Sequence, residues 1–133
     1  IETEVRMTNR ASDATTMQIG ELPERVNLSL RTIRHYDEVG LLKPSGRSEG
    51  GFRLYTQSDL DRLILIRQLR PLEFSLEEVG EIVSLLAEHS TGALTGTGRA
   101  RLGHFLVQAT ERRARLADYL SRADEVLALL GDL

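Results

Sequence analysis

The sequence predicts a mainly α fold, a winged helix-turn-helix domain followed by a long dimerisation helix, on three observations. Two short stretches with apolar residues at helical spacing meet at a tight turn around Asn27 and Leu28. A turn-rich stretch, Ser45 to Gly51, runs into the alternating Phe52-Arg53-Leu54-Tyr55, which reads as a small hairpin, the wing. From Arg99 to Leu130 apolar residues recur in alternating steps of four and three, the seam of a coiled coil.

Residues 1–16 are polar and aperiodic and read as a flexible N-terminal tail. Met17 is a natural start for the folded part, and the spacing of Ile19, Leu22 and Val26 predicts the first helix. Pro23 is compatible with it, because N–H groups in a first turn have no intrahelical partner to lose. Ser29 is a good N-cap for a second helix to about Val39, with Leu30 and Ile33 facing inward and Gly40 where a helix end needs positive φ. Thr56 with Asp59, and Ser75 with Glu78, are capping boxes for two further helices, the first of them ended by Pro71. The small polar residues at 90–98 read as a loop. The expected organisation is a tail at 1–16, the winged domain at 17–87, a loop at 88–98 and the dimerisation helix at 99–133.

The seam of that last helix is Leu102, Leu106, Ala109, Arg113, Leu116, Leu120, Ala123, Leu127 and Leu130. A stripe on a helix of roughly 45 Å is too long for the small preceding domain to cover. It calls for a partner, most simply a second copy. Arg113 and the two alanines weaken packing in the seam and set register.

Net charge is −3, so the chain as a whole does not look like a nucleic-acid binder. The distribution is more informative. Arg31, Arg34, Lys43, Arg47 and Arg53 outnumber Asp37, Glu38 and Glu49 within 29–53, whereas 71–98 carries five Glu and no Lys or Arg. A cationic stretch beside an acidic one fits DNA binding at one face. There are no cysteines, which excludes disulfides, iron–sulfur clusters and thiolate metal sites. No stretch reads as a signal peptide or a membrane span, and the expected compartment is the cytoplasm. No nucleophile, base or carboxylate pair falls into a catalytic spacing, so an enzyme is not expected and no cofactor is called for. The glycine-rich loop at 92–98 lacks the preceding strand and the Gly-Lys-Ser/Thr of a phosphate loop. His89 and His104 match no metal-site spacing.

Several motifs in order carry a resemblance: Ile19-Gly20-Glu21-Leu22; Leu28 through Asp37; Gly40-Leu41-Leu42-Lys43-Pro44; Gly51 through Tyr55; and Phe74 through Glu78. Over about half its length the chain resembles the MerR family of bacterial regulators. The resemblance implies a homodimer joined by an antiparallel coiled coil, binding a near-palindromic site in double-stranded promoter DNA. It further implies distortion of an over-long promoter spacer so that RNA polymerase engages both elements. Asn27 and Pro71-Leu72-Glu73 stand where the family usually has Gly. The cysteines of metal- and redox-sensing relatives are absent, so sensing of copper, zinc, mercury or superoxide by thiolates is excluded. Any small-molecule effector is unidentified, with 88–105 as its expected region.

A recognition helix puts its N-terminal part into the major groove. The candidates on the second helix are Ser29, Arg31, Thr32, Arg34, His35 and Tyr36. Resemblance points to Arg34 and Tyr36 in particular. Lys43 is a candidate phosphate contact, and Arg47, Arg53 and Tyr55 are wing candidates for phosphate and sugar. The alternative is a non-catalytic interaction module whose heptad helix binds another protein.

Overall fold

The computed structural model describes residues 16–133, and the predicted tail lies, apart from Thr16, outside them. The chain divides into two compact units, one up to Thr95 and one from Gly96 to Leu133. In the first, β1 (Met17–Gln18) passes through a 3-10 turn into α1 (Leu22–Val26) and α2 (Leu30–Glu38). The hairpin β2 (Gly46–Arg47) and β3 (Arg53–Tyr55) follows, then α3 (Gln57–Leu69), a second 3-10 turn and α4 (Leu76–Ser90). The sheet order is β1-β3-β2, all antiparallel, with Met17 opposite Tyr55 and Arg47 opposite Arg53. The wing is therefore three-stranded. Two residues are too few for an alternation to show, so β1 was not visible in the sequence.

Local chemistry explains the helix boundaries. Pro23 sits in the first turn of α1. Asn27 ends that helix in the left-handed region (φ 55°), its N–H donating to the Pro23 carbonyl. Asparagine visits this region more readily than most residues. Ser29 Oγ accepts from the Thr32 N–H and starts α2. Gly40, at φ 83°, turns the chain out, while the Leu41 and Leu42 N–H groups both donate to the Tyr36 carbonyl. Thr56–Asp59 and Ser75–Glu78 form complete capping boxes on α3 and α4. Asp59 is buried and also accepts from Ser45 Oγ at 2.6 Å, tying the wing to the start of α3.

The core of this unit is Met17, Leu22, Val26, Ile33, Tyr36, Leu42, Tyr55, Leu60, Leu63, Ile66, Phe74, Val79, Ile82 and Val83. Arg67 reaches from α3 to the Val26 carbonyl (2.6 Å), capping the end of α1. Leu30, expected inside, sits at the rim and is only half-buried.

α3 stops at Leu69, and the turn at 70–72 hands over to Glu73 at φ 64°. Glu73 thus adopts the conformation for which glycine is the usual choice. A left-handed residue with a Cβ costs about 1–2 kcal/mol. Glu73→Gly is therefore expected to raise stability by about 0.5–1 kcal/mol, less than that strain because glycine leaves a freer unfolded chain. Denaturant midpoints of the two proteins measure it; a midpoint that falls counts against strain at this position.

α4 runs to Ser90, where Gly92 at φ 78° closes it. The second unit is α5, Gly96–Gly131, a helix of 36 residues. The connection is thus 91–95, shorter than the loop expected at 88–98. Within α5, Leu106, Leu116, Leu120, Leu127 and Leu130 of the predicted seam are exposed, and so are Val107, Tyr119, Val126 and Leu129 beside it. Among the described residues no helix is long and apolar enough to cross a membrane, and no cluster of His, Asp or Glu is placed to hold a metal ion.

Candidate nucleic-acid interface

The interface is built on α2 and the wing. The inward stripe of α2 is Ile33 and Tyr36, three residues apart, so the residues between and around them turn outward. Ser29, Arg31, Arg34 and His35 are exposed and Thr32 is half-buried. An exposed helix face with arginines suits the width of the major groove.

Three arginines from three elements converge. Arg34 of α2, Arg47 of β2 and Arg53 of β3 line one cleft of about 230 Å³ with Gln18, Ile19, Gly51 and Phe52. Arg53 donates from Nη1 to Asp37 Oδ2 on α2. The carboxylate is nearly buried and the guanidinium 42% exposed. A guanidinium has five N–H donors, so one bond to Asp37 fixes Arg53 without exhausting it. Arg47 donates to the Gly51 carbonyl at 3.0 Å and is oriented by the wing turn in the same way. A second cleft, about 300 Å³, is lined by Arg31, Thr32, His35 and Tyr36 with Arg70 and Leu76.

Other predicted contacts are placed elsewhere. Lys43 lines a different and larger cleft, about 870 Å³, between the end of α2, Arg62 and α4. Tyr36 is 6% exposed and Tyr55 0%, so both are core residues rather than members of an outward face with Arg34 and Arg53. For Tyr36 the reason is its spacing from Ile33. For Tyr55 it is the place at the end of β3 opposite Met17, which is itself buried in the core. Gln18, Phe52 and Arg70 border the interface and were not singled out from the sequence. Only the aromatic in a turn-rich hairpin could have flagged Phe52.

Burial raises the pKa of the Tyr55 hydroxyl above its ordinary value; Asp37 adds to the rise and Arg53 opposes it. The hydroxyl has no partner at hydrogen-bond geometry, although Arg53 lies near. The folded protein keeps this proton above pH 10, where the unfolded chain has released it. Stability thus falls as pH rises past about 10 and is insensitive to this group below it. Tyr55→Phe should remove that alkaline loss, leave stability at pH 7 unchanged or raised by up to about 1–3 kcal/mol because the buried hydroxyl lacks a partner, and leave DNA affinity unchanged. Thermal unfolding at pH 7 and above pH 10 checks the first two; a large fall in affinity would return Tyr55 to the DNA surface.

A winged helix-turn-helix with arginines gathered beside its second helix defines a DNA-binding module. The model of the MerR HTH regulatory protein family matches residues 17–86. The HTH-type transcriptional regulator CueR of Salmonella typhimurium is 36% identical over 116 residues, 85% of this chain and 78% of that protein. The regulator ZntR of Escherichia coli is 46% identical over 76 residues, 56% of this chain and 54% of that one. Among solved structures, a MerR family regulator from Bacillus cereus has TM-score 0.60 at 31% identity, covering 89% of this chain and 79% of that one. HiNmlR, a MerR family regulator lacking the sensor domain and bound to promoter DNA, has TM-score 0.66 at 28% identity, covering 83% and 80%. The chain belongs to the MerR family of helix-turn-helix transcription regulators, and it is a DNA-binding regulator rather than an enzyme.

Proposed function

We propose that this regulator binds a near-palindromic promoter site as a homodimer, joined through α5, and distorts the DNA it holds. The observation that carries the reading is the convergence of Arg34, Arg47 and Arg53 on one exposed face of a chain whose net charge is −3. Arg34 reads or grips the DNA from α2, and Arg47 and Arg53 hold phosphates from the wing. Arg31 and His35 extend the grip toward Arg70. The nine seam positions of α5 meet the same positions of the second copy, with Arg113 setting register. MerR regulators bind promoter DNA as dimers and act with RNA polymerase, and we assign the same partners to this chain, in the cytoplasm. This chain itself offers no thiolate to an effector, since it has no cysteine.

Fluorescence anisotropy on its own upstream DNA, at two salt concentrations, tests this. Binding should exceed that to random duplex and weaken steeply with salt. Arg34→Ala should cost about 1–3 kcal/mol of binding at each of the two half-sites. Equal affinity for upstream and random DNA, unaltered by Arg34→Ala, would instead favour the protein-interaction reading of α5.

A further inference from the structure

We propose that Phe52 is a DNA-contacting residue that lays its ring against deoxyribose at the edge of the binding site, a role that rests on the DNA-binding reading above. Phe52 is 61% exposed, the most exposed large apolar residue among the described residues of the first unit. A solitary exposed apolar residue is ordinary on a protein surface. This one differs in being held.

Both main-chain groups of Phe52 are bonded across the turn. Its N–H donates to Ser48 Oγ (3.1 Å) and its carbonyl accepts from the Ser48 N–H (2.8 Å). The Gly51 N–H donates to the Ser48 carbonyl, with Gly51 at φ 82°. The ring then lies over Gly50, where a Cβ would come within 3.1 Å of Phe52 Cε2 and 3.2 Å of Cδ2. Gly50 leaves room for the ring, Gly51 makes the turn, and Ser48 clamps the backbone. The tip of the wing thus carries its ring on a held main chain, with the ring lying against Gly50.

Its surroundings name the partner. Phe52 shares its cleft with Arg34, Arg47 and Arg53. An apolar plate set among guanidiniums matches the alternation of a nucleic-acid backbone, in which C–H faces of the sugar separate charged phosphates. With α2 in the major groove, the wing lies beside it, over the backbone and the sugars beyond. Apolar side chains at such an edge also press into the minor groove of deformable DNA. Glu49 at the same tip opposes phosphate, so the apolar contact and not charge is what the tip itself offers.

The test is anisotropy with the upstream duplex over a salt series, comparing wild type, Phe52→Ala, Phe52→Leu and Arg47→Ala, with thermal unfolding of each. Phe52→Ala should bind about tenfold more weakly at an unchanged slope of log affinity against log salt. Arg47→Ala should reduce that slope by about 1.8, one phosphate contact in each subunit of the dimer. Phe52→Leu should recover most of the loss, and the unfolding midpoint should hold in both Phe52 variants. Wild-type affinity in Phe52→Ala overturns the proposal, and so does a loss that carries the salt slope or the midpoint down with it. The second result would mean that Phe52 only supports the arginines or the fold. Wild-type protein that does not prefer its upstream DNA removes the DNA-binding reading and this one together.

Discussion

Changing Leu116 and Leu120 together to glutamate is expected to leave the first unit folded, make the protein monomeric and weaken promoter binding by at least ~100-fold. Leu120 is 64% exposed in the single chain, and Leu127 and Leu130 are comparably bare. Leu116 is at the middle of the nine-position seam, so in an antiparallel pair it meets its own copy, and two glutamates there face each other. Burying a carboxylate at such a contact costs several kcal/mol or forces protonation. Separated monomers lose the local concentration that a linked second half-site confers, typically millimolar. Sedimentation equilibrium gives the oligomeric state and anisotropy the affinity. A variant that stays dimeric, or a monomer that binds as tightly as wild type, would refute the role assigned to α5.

Adjacent residues on α2 should give opposite phenotypes. Ile33 is fully buried and Arg34 exposed. Ile33→Ala removes packing atoms from the core and should cost about 2–5 kcal/mol. In a domain of this size each kcal/mol lowers the midpoint by about 4–8 °C. At a temperature well below that lowered midpoint its DNA affinity and salt slope should be those of wild type. Arg34→Ala should keep the wild-type midpoint and lose affinity. Calorimetry and anisotropy on the same preparations separate the two. A stability loss below about 1 kcal/mol for Ile33→Ala would show that α2 is not packed as described.

The architecture was legible in the sequence wherever one residue acts on its near neighbours. Ser29, Thr56 and Ser75 cap helices three residues away, and Gly40 turns the chain at the end of α2; such chemistry is visible without a fold. The length of α5 was legible for a related reason, since apolar residues at regular helical spacing mark one continuous helix. Relations across the chain were not. Met17 pairs with Tyr55, Arg53 with Asp37 and Ser45 with Asp59, over 38, 16 and 14 positions, and no local pattern announces them. The same limit explains the tyrosines. Tyr36 was readable as inward from Ile33, but a hydroxyl beside arginines also suits DNA, and only packing decides between the two. Tyr55 lies two residues after Arg53 and so on the same face of β3, and what packs over that end of the strand, not the alternation, decides that one is buried and the other exposed. Lys43 shares the charge of the wing arginines and not their place.

The tie between Asp37 and Arg53 bears on where promoter strain goes. Within the wing β1 is paired to β3, and the wing is pinned to α3 by Ser45 and Asp59. Reading head and clamp are thus tied to each other and to the body of the domain as the two halves of one jaw. When such a jaw grips a duplex that does not fit it, the softer body deforms. DNA is that body: smoothly bending a site of this size costs on the order of 1–6 kcal/mol, whereas prising the wing from α2 would leave the nearly buried Asp37 carboxylate without its Arg53 partner. The protein then acts as a template, and the sequence it prefers will include base pairs that it never touches, chosen for how readily they give way.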